Sequence, residues 1–240
     1  MKRLIPVIAL AIVLASSSVW AADATLGVDV NSAYVWRGIT FNDGLVAQPS
    51  IDVSKNGFGV NVWANYDIDD YNDTLDDKEF SEVDLTLSYG FSLQKLDITV
   101  GHIEYLFPAG GAGTRELYLS LGYPIIGGLS IGGNFYYDYD EVEGYYADLG
   151  LTYAMDLVDK LSMEIGARAA YADDDFAIAY GGTDGGFYDY TLSLSLTYAL
   201  TEAWSLGASI NYTDNIDDDA LPDANVDVNT YGGVTIAYAF

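Results

Sequence analysis

The chain has no cysteine and a single histidine, His102. No disulfide can staple it, and in an oxidising compartment it has no thiol to mispair. Basic residues are scarce: 9 Lys and Arg stand against 36 Asp and Glu, a formal charge of -27 over 240 residues. Nucleic-acid binding needs a basic footprint, so that class of partner is excluded. The same charge favours cations, as permeating solutes or as bridges at a surface. Long apolar runs are also missing. Past the N-terminal leader none approaches the roughly 18 residues a membrane helix needs. Yet 50% of the residues are hydrophobic, so the hydrophobicity is spread by some other pattern.

The N-terminus reads as a leader. Lys2 and Arg3 are followed by the apolar stretch Leu4 to Ala15, then Ser16-Ser17-Ser18 and Val19-Trp20-Ala21. This is the order of a secretory signal peptide, with cleavage expected after Ala21 and Ala22-Asp23-Ala24 as a second site. A retained membrane anchor is the alternative, and it is opposed by the short apolar segment. No cysteine follows, so lipoprotein anchoring is excluded. Removing residues 1–21 takes away two basic groups and leaves residues 22–240, one domain, still more acidic.

What the mature chain has is alternation. Side chains on a strand point to opposite faces with period two. A first strand is expected over 25–41, with Leu26, Val28, Val30, Tyr34 and Trp36 on one face. Later strands are expected at 45–54, 58–67, 82–89, 96–106, 116–123, 129–139, 145–153, 161–171, 188–198, 204–212 and 229–240. In the clearest, Tyr188, Tyr190, Leu192, Leu194, Leu196 and Tyr198 alternate with Asp189, Thr191, Ser193, Ser195 and Thr197. Pro49 predicts a bend or bulge in the second strand, because it cannot donate to a ladder. Asn42-Asp43-Gly44 and Lys55-Asn56-Gly57 are turn signals.

About twelve strands result, each near the roughly ten residues a tilted strand needs to cross a bilayer. Connections alternate short and long, as in outer-membrane barrels with short periplasmic turns and long outer loops. The acidic stretches 69–79, 173–186 and 214–227 then all fall outside, while the first outer loop, 42–44, is unexpectedly short. The 21 Tyr outnumber 9 Phe and 4 Trp; an apolar ring with a wet hydroxyl suits a membrane interface. A soluble β-sandwich also alternates, but its outward face should be charged. Here the second face is mostly Ser, Thr, Gly and Asn with some Asp. The fold class expected is all-β: a transmembrane antiparallel up-and-down β-barrel.

The last strand carries Val234, Ile236, Tyr238 and Phe240 on one face and ends on the aromatic ring. It resembles the C-terminal signature of bacterial outer-membrane proteins, which implies a Gram-negative outer-membrane location and recognition by the barrel-assembly machinery. Asn31-Ser32-Ala33-Tyr34-Val35-Trp36-Arg37-Gly38-Ile39-Thr40, followed by Gln48-Pro49-Ser50, resembles the opening of the TorF family of predicted porins. Phe58-Gly59-Val60-Asn61-Val62-Trp63-Ala64 is similar to that family's next strand. Thr40 stands where Ser is commoner, and the loops are unusually acidic. The resemblance covers about the first third of the mature chain. It implies a porin-type barrel and names no substrate.

Catalytic chemistry finds little support. An outer-membrane phospholipase would carry His-x-Ser; here the run is His102-Ile103-Glu104, with no nucleophile beside the histidine. His102 lies outward by parity, unless a bulge at Gly101 turns it in. The aspartate runs Asp173-Asp174-Asp175 and Asp217-Asp218-Asp219 lack the Gly and Glu positions of a calcium-binding EF-hand. A solvated acidic rim is the plainer reading, with diffuse divalent bridging to lipopolysaccharide phosphates left open. No enzyme activity, cofactor or dedicated metal site is expected. Arg37, Glu82, Asp84, Glu116, Asp148, Glu164 and Arg168 fall opposite the apolar face. A charge facing hydrocarbon at mid-bilayer costs about 2–4 kcal/mol, so these seven are the candidate lumen-lining residues. Arg115 shares the apolar parity but sits near the outer end, where it can snorkel. The function expected is ion transport or small-solute diffusion through a narrow, cation-preferring pore. The alternative is a closed barrel, plugged by salt bridges, whose loops bind divalent cations, lipopolysaccharide or a partner.

Overall fold

A computed structural model describes residues 22–71 and 78–240. The expected leader, residues 1–21, lies outside the described residues, as do residues 72–77 of the first acidic stretch. The strands in chain order are β1 (Asp23–Asn31), β2 (Tyr34–Trp36), β3 (Ile39–Asn42), β4 (Val46–Lys55), β5 (Phe58–Asp67), β6 (Phe80–Leu93) and β7 (Leu96–Leu106). They continue with β8 (Thr114–Ile126), β9 (Leu129–Asp138), β10 (Tyr145–Val158), β11 (Leu161–Ala172), β12 (Gly186–Ala199), β13 (Trp204–Asn215) and β14 (Thr230–Ala239). Twelve of them close one antiparallel barrel, β1 meeting β14 on one side and β4 on the other. The hairpin β2–β3 stands apart from that wall.

Closure satisfies the backbone groups that an open edge would leave bare in lipid. Thr25 pairs with Ala239 and Asn31 with Gly233 across the seam. Beyond the last pair, the Phe240 amide donates to the Ala24 carbonyl at 2.9 Å. The apolar parity faces outward along the wall: Leu26, Val28, Val60, Leu87, Leu119, Leu151, Leu194, Val234 and Ile236 are all exposed. Aromatic pairs gather near both ends. Phe58–Tyr89, Trp204–Tyr238 and Tyr238–Phe240 mark the short-turn end. Tyr145–Tyr171, Tyr171–Phe187 and Tyr190–Tyr212 mark the other. These are the two interfacial girdles of a membrane barrel.

Short turns sit at the end where β1 begins and β14 finishes. Asn56 and Gly57 have φ of 52° and 85°, the pair of left-handed residues a two-residue hairpin turn demands. At the other end the connections are long, and several fold inward rather than out into solvent. The expected strand over 25–41 is therefore corrected: the wall ends at Asn31, and the chain turns in to make β2–β3. The first outer connection spans residues 32–45 and is not short. The stretch expected as a plain loop after β11 carries a short helix, α1 (Asp174–Ala179), capped by the Asp173 side chain, which accepts from the Phe176 amide. The segment after β13 contains a single 3-10 turn (Asp223–Asn225).

Ile39 of the hairpin, Phe176 and Ala177 of α1, and Ala220, Leu221 and Val226 of the last loop meet Tyr146 and Tyr188 of the wall in one buried apolar cluster. Each large side chain so buried stabilises the fold by about 1.5–3 kcal/mol. The apolar core of this barrel thus fills the outer half of its lumen.

Two local expectations fail for identifiable reasons. Pro49 makes no bulge: pairing with β5 skips 48 and 49 and resumes at Ser50↔Trp63 in the same register. The strand loses bonds there without shifting. Tyr188 was expected on the lipid side, but a register shift between Ala169 and Tyr171 turns both Tyr188 and Asp189 inward, each 0% exposed. A bulge places two residues opposite one and so breaks the alternation.

Candidate functional site

The lumen site begins at the hairpin tip. Arg37 and Gly38 have φ of 49° and 83°, so the tip is another tight left-handed turn. A side chain at Gly38 would meet Leu221 at 2.7 Å and Asp189 at 2.8 Å; only glycine lets the tip press against the far wall. Arg37 reaches across to Glu116 of β8 with two parallel bonds of 2.7 Å. Tyr105 donates to the same carboxylate at 2.9 Å. The guanidinium carbon lies 4.2 Å from the Trp36 ring, 4.3 Å from Tyr136 and 4.7 Å from Tyr146, within cation–π range of each. Burial by itself would lower the basicity of Arg37, but the Glu116 carboxylate outweighs it and holds the group above its ordinary value. The ion pair is buried, with Glu116 2% exposed.

A second pair lies beside it. Arg168 of β11 bridges Asp189 of β12 at 2.9 Å. Tyr146 donates to the other Asp189 oxygen at 2.7 Å and accepts from Arg168. Asp148 sits at the end of a ladder across three strands: Ser120 donates to Asn134, and Asn134 donates to Asp148 at 2.9 Å. On the opposite wall Asn31, Gln48 and Asn65 form a similar amide ladder ending on Asp67.

Glu82 and Asp84 differ from these. They stand two residues apart on the lumen face of β6. Glu82 is 6% exposed and accepts from the Tyr34 hydroxyl at 2.8 Å. One oxygen of Asp84 is buried without a hydrogen-bond partner. The ion pairs of Arg37, Arg115 and Arg168 go to Glu116, Glu104, Asp140 and Asp189, and none reaches Glu82 or Asp84. Buried carboxylates are normally paired or hold a cation. Glu164, on the short-turn side of β11, is exposed and likewise meets none of these arginines.

Three spaces lie inside the barrel, two of them adjoining. An outer vestibule of about 460 Å³ is lined by Phe41, Asp67, Glu82, Phe107, Glu141 and Tyr180, among others. It shares Glu82, Phe107 and Tyr180 with a throat of about 20 Å³ that reaches Trp36, Tyr105 and Glu116. Burial pushes the Tyr180 hydroxyl above its usual range. Below the hairpin a polar cavity of about 410 Å³ is lined by Asn134, Asp148, Thr152, Arg168, Ser193 and Asn211, among others. The arrangement leaves space for small solutes between aromatic and polar walls.

The seven residues expected in the lumen take different positions: Glu82 and Glu116 line the throat, and Asp148 and Arg168 line the polar cavity. Arg37 arrives on the inserted hairpin, not on a wall strand. Glu116 and Arg168 are neutralised in pairs, Asp148 is held by amides, and Glu82, Asp84 and Glu164 meet none of the paired arginines. Arg115 sits at the rim and bridges Glu104 and Asp140. His102 points outward opposite Leu87 and Leu117, with no bulge at Gly101. Its Nε2 bonds the Tyr139 hydroxyl at 2.8 Å. Sequence reasoning did not single out Asp189 or the aromatic cage. The one available signal was the length of the alternating stretch 25–41, well beyond the roughly ten residues a crossing needs.

No protein-family model matches the chain, and a search of curated proteins found none that matches. Solved structures give the fold. KdgM porin aligns with a TM-score of 0.57 at 14% identity, over 90% of this chain and 99% of its own. KdgM porin in complex with disordered oligogalacturonate gives the same score and identity over 91% and 99%. The chain is similar to outer-membrane porins in fold, and the finer resemblance to the TorF family is not confirmed.

Proposed function

We propose that this porin-type barrel lies in the bacterial outer membrane and is a narrow, cation-preferring diffusion channel. The observation that carries the reading is the pair Glu82 and Asp84: Glu82 is buried at the throat, Asp84 beside it on β6 is partly buried with one oxygen unbonded, and neither is in an ion pair with Arg37, Arg115 or Arg168. A passing cation supplies the missing charge, and fixed carboxylates in a low-dielectric passage concentrate cations by their field. The KdgM structure holds an acidic sugar. In this chain the two lumen arginines are already committed to Glu116 and Asp189, which disfavours a polyanionic solute.

The test is single-channel recording of the refolded protein in planar bilayers under a KCl gradient. We expect discrete steps with a cation-selective reversal potential. Glu82→Gln with Asp84→Asn should cut the cation-to-anion permeability ratio severalfold and leave folding intact. An anion-selective reversal potential in the unmodified protein would sink the reading. A second reading has its own support. The hairpin, α1 and the last loop bury an apolar cluster in the outer half of the lumen, which suits a closed barrel whose acidic loops bind divalent cations, lipopolysaccharide or a partner. A silent bilayer, with heat-modifiable mobility proving that the barrel is folded, would favour it.

A further inference from the structure

The outer vestibule has walls of a particular chemistry. Phe41, Phe107 and Tyr180 line it together with the carboxylates of Asp67, Glu82 and Glu141. No Lys or Arg is among its lining residues. Phe41 is 41% exposed, so its ring is open to the space. Glu82 lies at the floor, common to the vestibule and the throat. Several hydrogen-bond donors of the lining are already engaged. Tyr34 donates to Glu82, Asn42 to Asp67 and Thr114 to Asp138. A neutral sugar needs donors as well as ring faces, and an anion needs donors or positive charge. What remains on offer is mainly ring faces and acceptor oxygens, with the hydroxyls of Ser81 and Tyr180 beside them.

Ring faces attract cations through their quadrupole, and most strongly where the cation is desolvated. An alkylated ammonium group suits such walls, because its methyls pack on rings while its charge needs no hydrogen-bond acceptor of fixed geometry. The throat below, about 20 Å³, holds little more than one water-sized particle. An organic cation therefore stops above it.

We propose that the outer vestibule is a binding site for small organic ammonium ions, held by Phe41, Phe107 and Tyr180 over the Glu82 carboxylate. The site deepens the channel reading by naming the solute class that the outer mouth captures. Its existence does not depend on whether the throat conducts.

The test is isothermal titration of choline, at fixed ionic strength, into the full chain refolded in a zwitterion-free, non-ionic detergent. The uncharged carbon isostere of choline is titrated in parallel. We expect one choline site per chain and no heat from the isostere. Glu82→Gln, which keeps an acceptor for Tyr34, should weaken choline ~10-fold or more, as a lost desolvated charge contact of this kind implies. Phe107→Leu should weaken it about threefold to tenfold. Heat-modifiable mobility verifies that each variant is folded. The proposal is overturned if choline gives no saturable heat, if the isostere binds equally well, or if a folded Glu82→Gln variant binds choline as tightly as the parent. Choline binding by a protein that is silent in bilayers supports the site while removing the channel. Conductance without choline binding does the reverse.

Discussion

Arg37 occupies a position that few residues could. Its backbone is left-handed, which costs a residue with a Cβ roughly 1–2 kcal/mol. That cost is offset by two charge-assisted bonds to Glu116 and by three ring faces. Arg37→Met leaves a buried carboxylate without its partner, and such losses run to about 3–5 kcal/mol. Chemical denaturation of the refolded barrel should show a drop of that order. Glu116→Gln added to Arg37→Met should recover a large part of it, because the stranded charge is then gone. Additive losses from the two substitutions would contradict a direct pair.

The hairpin β2–β3 is an element that the barrel wall does not use. β1 pairs with β4 directly over its whole length, from Asp23↔Ser54 to Asn31↔Val46. Replacing residues 33–43 by a short Gly-Ser linker should therefore leave a closed barrel and remove the inner plug. We expect conductance to rise severalfold and selectivity to weaken, read from step size and reversal potential. An unchanged step would place the constriction elsewhere. The final strand is the other element with a separable role. Phe240 packs on Tyr238, which packs on Trp204, each with ring centres 4.8 Å apart. Phe240→Ala should slow insertion into the outer membrane in cells, measured by the fraction of heat-modifiable barrel. Its wall pairing is backbone-mediated and should survive.

At the scale of the whole molecule, charge dominates. A net charge of -27 is shared between the outer loops and the lumen. Fields from exposed loops reach about 10 Å in 0.1 M salt and about 3 Å at 1 M. Cation preference should therefore fall as salt rises but not vanish, since Glu82 is buried within the lumen. Reversal potentials measured at a fixed gradient ratio from low to high KCl would check this. Complete loss of preference at high salt would assign selectivity to the loops instead.

Much of this architecture is local, which is why it was legible. Period-two alternation and turn residues act over a few neighbours, and they placed twelve strands, their lipid face and the short-turn end. The same parity placed Glu82, Asp84, Glu116, Asp148, Glu164 and Arg168 opposite the lipid. It failed at Tyr188, where a bulge resets the alternation, and over 32–45, where a hairpin with the same alternation leaves the wall. An inserted strand and a wall strand look alike in one dimension, because both have one buried face. Which charges are paired was also beyond the sequence. Arg37 meets Glu116 across 79 positions, a contact that exists only once the barrel has closed and the hairpin has folded in. Sequence alone determined an acidic, membrane-facing barrel. Tertiary structure decided that its outer half is filled, and that Glu82 and Asp84 meet none of the lumen arginines, because pairing inside a lumen depends on which walls face each other.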